Sequence, residues 1–296
     1  DVDADATLAM VKKHWGNWQK GNFVNEIPQE PVQQAPRYVH QQFEGLPGHW
    51  LLVSYKGANW QPEKKDRAAL DLISELYFSS NSELYQELVV EKQVASQMFN
   101  YNPETKDAGL RHVFIKVNEE QDLAMVRDAI NNTYAKARTE LIASDKLEDL
   151  KSNLKYSFVN SLDSSEAIAS TLASYMHFTR DPETLNQLYA SFDIISALDI
   201  KRYANQYFVD DNRTTVTLSA LSEVANFTDE VNLNSVVAGI VEQQANVGTP
   251  KFTLLDNSND SPLIDVNFLF YTGAAADPEG QKGVAALLAS MLTQGG

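Results

Sequence analysis

Cysteine is absent from all 296 residues. Its absence excludes disulfides, thiolate metal ligands and a cysteine nucleophile, leaving metal binding to histidine and carboxylate. Histidine is scarce as well. His14, His40, His49, His112 and His177 are the full set, and no two lie three to five residues apart. No helix can therefore present two of them on one face as a metal site requires, and each reads best as a structural or surface histidine. No stretch approaches the ~18 uninterrupted apolar residues of a membrane-spanning helix, so no membrane span is expected. The opening Asp1-Val2-Asp3-Ala4-Asp5 lacks the basic start and apolar run of a signal peptide. Glycine nowhere follows the G-x-G-x-x-G spacing of a phosphate-binding loop. Positive charge is in deficit: 24 Lys and Arg against 40 Asp and Glu give a formal net charge of −16. Such a chain repels phosphate backbones, which argues against nucleic acid as a partner.

What the sequence does have is apolar substance, 43% of its residues, enough for one large domain or two ordinary ones. Residues 5–15 read as a helix with Leu8, Val11 and Trp15 on one face, followed by a Gln-, Asn- and Pro-rich linker. Residues 37–43 and 51–56 then read as strands, 64–78 and 82–91 as helices, and 95–101 and 111–117 as strands. Helices are expected at 122–142, from an N-cap at Ser144 through 158, at 165–178, at 183–192 and at 199–208. Asp181 is the expected N-cap of the fourth of these, and Ser196 with Asp199 forms a capping box for the last. Residues 214–218 close the unit as a strand. Strands, a run of helices and a final strand give the α+β class, an antiparallel sheet backed by helices. Residues 223–250 are irregular and read as a linker with room for a short helix, while 252–255 and 263–271 read as strands, 273–280 as a turn and 283–292 as a helix.

The end of the chain repeats an earlier part. A shift of 216 positions carries Tyr55, Gly57 and Ala58 onto Tyr271, Gly273 and Ala274, and Pro62 and Glu63 onto Pro278 and Glu279. The same shift carries Ala69, Leu72, Ser74 and Leu76 onto Ala285, Leu288, Ser290 and Leu292. Both copies read strand, glycine turn, Pro-Glu, amphipathic helix. A repeat of that length makes residues 251–296 the first part of a further unit and the chain a piece of a longer protein.

Three segments carry a resemblance to the pitrilysin/insulinase family of zinc metallopeptidases. Asp1-Val2-Asp3-Ala4 with the helix through Trp15-Gly16 resembles the end of that family's first domain. Ser82-Glu83-Leu84-Tyr85-Gln86-Glu87-Leu88 with residues 95–101 resembles its second-domain helix and strand. Residues 200–218, with Tyr203-Ala204, Tyr207-Phe208 and Asn212-Arg213-Thr214, resemble its closing helix and strand. The resemblance implies an insulinase-family peptidase-like fold. It divides the chain into the end of a preceding domain with its linker (1–32), a full non-catalytic domain (33–222), a linker (223–250) and the start of a further repeat domain (251–296).

Active first domains of the family carry His-x-x-Glu-His on the helix that corresponds to residues 283–291. Two histidines four apart hold zinc, and the glutamate is general base to the metal-bound water. This chain has Ala286, Ala289 and Ser290 at those positions, and Leu70, Ile73 and Ser74 in the earlier copy. Methyl groups neither ligate zinc nor take a proton, so no catalytic or metal-binding residue is assigned and the chain cannot be a working zinc peptidase by itself. The resemblance implies zinc in the parent protein and none in this piece. It implies peptide substrates and the parent's remaining domains as partners, and a periplasmic or exported bacterial setting. The expected role is to form part of the substrate chamber of a zinc-dependent metalloendopeptidase, its acidic wall favouring basic or neutral peptides if the charge faces inward. The alternative is a structural or partner-binding subunit of the same family without peptidase activity.

Remaining candidates read as structure. Glu83, Glu87 and Glu91 fall on one helix face at four-residue spacing, where a solvated face is a better reading than an acid–base pair. Trp15, Trp18, Trp50 and Trp60 read mainly as core, with a peptide- or carbohydrate-binding surface as the alternative. The strand at 51–56 is a candidate edge for an extended peptide.

Overall fold

The computed structural model describes residues 2–19, 21, 30–61, 63–103, 105–225, 227, 231–245, 277, 282–286 and 288. The chain divides into two compact units, Asp1–Leu233 and Asn234–Gly296.

The first unit opens with helix α1 (Ala4–Trp15), capped by the Asp3 carboxylate, which accepts from the Ala6 N–H at 2.8 Å. Strands β1 (Arg37–Gln42) and β2 (His49–Lys56) follow, then helix α2 (Asp66–Phe78) and a short helix α3 (Glu83–Tyr85) that widens into a π-helical turn, Gln86–Glu91. Strands β3 (Ala95–Tyr101) and β4 (Leu110–Val117) form a hairpin with an irregularity between Ala95 and Gln97. A helical run comes next: α4 (Leu123–Thr139), α5 (Ser144–Ser161), α6 (Ser165–Thr179), α7 (Thr184–Asp193) and α8 (Ala197–Tyr207). Strand β5 (Arg213–Ser219) and the two-residue strand β6 (Val231–Asn232) complete a six-stranded sheet of order β3-β4-β2-β5-β1-β6.

The α+β class and its helix-backed sheet are as expected. The sheet itself is mixed: β2 runs antiparallel to β4 and β5, whereas β1 runs parallel to β5 and β6. The parallel pairing follows from the long return through five helices, since a parallel neighbour needs a crossover. β2 lies in the middle, paired on both sides. Its backbone groups are spent, so it is no edge for an added strand, and the expectation at 51–56 is corrected. β3 and β6 are the outer strands.

Helices α2 and α4 lie on the sheet through β3 and β2, and α8 packs on both. The core sits beneath them. Leu51, Val53 and Tyr55 of β2, Val113 and Ile115 of β4, and Leu70, Leu72 and Ile73 of α2 are all buried. Tyr134 of α4 stands at its centre, with ring centroids 4.4 Å from Phe78, 4.6 Å from Tyr55 and 4.8 Å from Phe208. Burial lifts the Tyr134 phenol well above its usual pKa, so the ring stays neutral.

Local chemistry explains where several elements begin. The expected capping box at α8 is present, with Ser196 and Asp199 bonding each other's backbone. Ser144 is the first residue of α5 and does not cap it; Ala143 holds the N-cap position with no side-chain bond. α7 starts at Thr184, later than expected, because Asp181-Pro182-Glu183 form a separate turn in which the Asp181 carboxylate accepts from the Glu183 N–H at 2.9 Å. Residues 223–250 hold β6 and helix α9 (Leu233–Ala245), more order than the sequence pattern suggested. In the second unit, a helical segment covers 284–286 and 288. The expected strands at 252–255 and 263–271 lie outside the described residues.

Candidate functional site

α2 stands where the zinc-binding helix of an active relative is expected, and its chemistry is hydrocarbon. Leu70 and Ile73 are fully buried, and Ser74 is 5% exposed. The Ser74 hydroxyl donates to the Leu70 carbonyl at 3.0 Å, one turn back along its own helix. Four-residue spacing does bring positions 70 and 74 onto one face, but that face is packed. Its only side-chain oxygen is already bonded to backbone, so these residues do not fit a zinc ion. Among the described residues no group of three or more His, Cys, Asp or Glu is placed to hold a metal.

The turn into α2 is structural for a related reason. A Cβ on Gly57 would lie 3.2 Å from the Arg111 Nε and 3.2 Å from the Gly109 carbonyl oxygen. Arg111 is held there by an ion pair with Asp71 of α2, which Arg67 also approaches at 3.5 Å. Glycine at 57 thus keeps a buried two-arginine, one-aspartate cluster in place.

In the second unit the Asp277 carboxylate accepts from the Gly283 N–H at 2.6 Å and the Ala285 N–H at 2.8 Å, fixing the start of the helical segment. Ala286 lies exposed on that segment. Ala289 and Ser290 lie outside the described residues.

The histidines are dispersed. His40 joins strands: its Nδ1 bonds the Thr217 hydroxyl at 2.9 Å and its Nε2 the Leu221 carbonyl at 2.8 Å. His112 Nδ1 meets the Ser54 hydroxyl at 2.8 Å, and burial lowers its pKa. No carboxylate completes a triad around that pair among the described residues. His14 is exposed on α1, and His49 is half-buried at the start of β2; the His177 side chain is outside the description. Glu83 pairs with Lys136 at 2.7 Å and Lys146 at 3.2 Å, and these lysines lower its pKa. Glu87 pairs with Lys92 at 2.6 Å, the five-residue spacing that a π-turn brings together. The three glutamates form no acid–base site.

Sequence reasoning missed the opposite face of the sheet. Trp50, Leu52, Phe99, Phe114, Val216 and Leu218 line an apolar depression of about 310 Å³ there. Register sets it: Leu52 pairs with Phe114 on one side and Val216 on the other, and Phe99 pairs with Phe114. The Phe99 and Phe114 rings stack at 5.1 Å, and Trp50 meets Phe99 edge-on at 6.4 Å. Phe99 is 44% exposed. The signal was in β2 itself, where Trp50-Leu51-Leu52-Val53 is apolar at odd and even positions alike. A strand with one wet face alternates; a two-faced apolar strand is built to be covered on both. The tryptophans divide accordingly: Trp60 is in the core, Trp50 lines the open face, and Trp15 and Trp18 are exposed. Core packing, expected for most of them, holds for Trp60.

Residues 1–154 match the family described as the Peptidase M16 inactive domain, and the chain belongs to it. It is 28% identical over 222 residues to the zinc protease PqqE of Helicobacter pylori, a match covering 74% of this chain and 49% of that protein. A solved protease from Helicobacter pylori superposes with a TM-score of 0.65 at 27% identity, covering 74% of this chain and 53% of that one. The periplasmic protease PqqL from Escherichia coli shares the fold, with a TM-score of 0.54 at 16% identity, over 75% of this chain and 24% of that one. The chain spans about half the length of the curated relative it matches.

Proposed function

We propose that this chain is the non-catalytic part of a zinc-dependent metallopeptidase acting on peptides, and that it forms part of the wall of the chamber enclosing the substrate. The observation that carries the reading is the packed α2 face: Leu70 and Ser74, which this reading sets at the two ligand positions of an active domain, and Ile73, which it sets at the general base, are spent on the core. Family membership and a match to about half of a zinc protease support it. In this reading 1–32 ends a preceding domain, 33–222 is a complete inactive domain, 223–250 is a linker and 251–296 begins another repeat. Zinc belongs to an upstream domain of the parent, and Ala286, Ala289 and Ser290 are a second degenerate copy of its motif. The apolar open face suits a domain that meets the rest of a longer chain. A periplasmic or exported setting goes with the reading, since one fold relative is a periplasmic protease.

The test compares the full parent protein with this chain for zinc content and for cleavage of quenched fluorescent peptides. The parent is expected to hold about one zinc and to cleave, and this chain to do neither. Stoichiometric zinc on this chain alone sinks the reading. A parent that holds no zinc and cleaves nothing favours the structural, partner-binding alternative.

A further inference from the structure

The open face of the sheet departs from the rest of the molecule in charge as well as in polarity. The chain has 40 acidic residues against 24 basic ones, yet none of the six strands contains an aspartate or a glutamate. Strands disfavour acidic residues in general, so the cations decide the matter. Arg111 is paired with Asp71, Arg213 with Asp210 and Lys56 with Glu30. Arg37 and Lys116 have no ion pair among the described residues. Both stand on the open face. Lys116 is the cross-strand partner of Trp50, and Arg37 that of Thr214, two residues before Val216. The Lys116 methylenes lie beside Gly48, where a Cβ would stand 3.1 Å from Lys116 Cε. The acidic wall expected from the sequence is therefore not this face.

An apolar depression beside an uncompensated cation selects its occupant. A basic segment is repelled, and a wholly apolar one leaves the half-buried Lys116 ammonium unmatched at its edge. An apolar side chain followed by a carboxylate satisfies both surfaces. The spacing suits an extended chain. Phe114 in the depression and Lys116 are two residues apart on β4, roughly 7 Å, which is also the separation of side chains i and i+2 on one side of an extended peptide. We propose that the open face binds an extended peptide segment, with a large apolar residue in the depression and an acidic residue two positions away on Lys116. The proposal rests on the peptide reading above for the source of the segment; the chemistry of the face stands on its own residues.

The test titrates the whole chain with acetyl-Ser-Phe-Ser-Glu-Ser-amide and with its counterparts carrying Gln or Lys in place of Glu, followed by NMR at the methyl groups of Leu52, Val216 and Leu218. The Glu peptide is expected to shift those methyls and to bind about threefold tighter than the Gln peptide, the factor of one partly exposed ion pair, with the Lys peptide weaker still. Lys116→Met keeps the stem and is expected to remove the Glu preference. Phe99→Ala is expected to weaken all three peptides alike, and Lys146→Met, on the helix layer, to leave the order intact. Equal binding of the three peptides, a preference that survives Lys116→Met, or shifts confined to other methyls overturns the proposal. Methyl shifts that follow protein concentration without peptide overturn it in favour of a contact between copies of the chain. Zinc content and hydrolysis by the parent are separate readouts: a parent that holds no zinc and cleaves nothing counts against the peptidase reading, while a Glu preference abolished by Lys116→Met still supports this site.

Discussion

The two faces of the sheet are built from neighbouring residues of the same strands, yet they meet different surroundings. Leu51 is fully buried beneath the helices, whereas Leu52 is only half-buried in the open depression with Trp50 and Phe114. Both faces are apolar. On the covered face, apolarity is spent within the unit, on α2 and α4. On the open face it is left over, in a chain that spans about half of the curated relative it matches. A strand's composition reports how many faces are to be buried; only the packing shows which burial occurs inside this unit.

The strongest way to break the comparison is to ask α2 for chemistry. Replacing Leu70, Ile73 and Ser74 together by His, Glu and His places two imidazoles and a carboxylate in the buried layer. Each such group costs several kcal/mol without partners. The expected outcome is loss of the cooperative unfolding transition in circular dichroism, with no zinc uptake. A folded, zinc-binding variant would show that this face is not committed to the core.

A gentler pair compares the faces directly. Leu51→Ala is expected to lower stability by ~3 kcal/mol in urea denaturation. Leu52→Ala, one residue away on the open face, should cost about 1 kcal/mol. Equal losses would mean that the open face is as fully packed as the covered one.

The smallest effect isolates a polar pin in the helix layer. Asp199 completes the capping box of α8, accepting from the N–H of the N-cap residue Ser196, and meets Lys65 at 3.3 Å. Burial raises its pKa, but the Ser196 N–H, the Ser196 hydroxyl and Lys65 outweigh burial and hold it below the usual 3.8. A lowered folded pKa gives stability that is present above the unfolded value and is lost as pH falls through the folded one. Asp199→Asn should therefore cost ~1 kcal/mol at neutral pH. The difference from the parent sequence should vanish on acidification below 3.8 as the aspartate protonates. A loss that does not change with pH would assign the effect to packing.

Much of the fold was legible because local rules agree with it. Period-two and period-3.6 patterns marked strands and helices within a residue or two at β1, β3 and α2. Ser196 with Asp199 announced α8 through a bond only three residues long. Rules failed where a nearby group competed. Asp181 capped a turn ahead of α7, Ser144 had no free N–H to accept from, and residues 86–91 took the wider π-turn. The open-face depression left one trace in the sequence, the unbroken apolar run Trp50-Leu51-Leu52-Val53, and its other walls come from distant strands. The motif positions were the opposite case, since alanine, leucine and isoleucine cannot ligate zinc in any fold.

The sequence by itself therefore determined the missing chemistry, the α+β class and the places where most elements begin. Those depend on residue identity, hydrophobic period and bonds a few residues long. Tertiary structure decided that β2 is central, that β1 lies parallel to β5, and that Leu51 and Leu52 meet different surroundings. These depend on which distant segments meet, and a strand's own sequence does not record its neighbours.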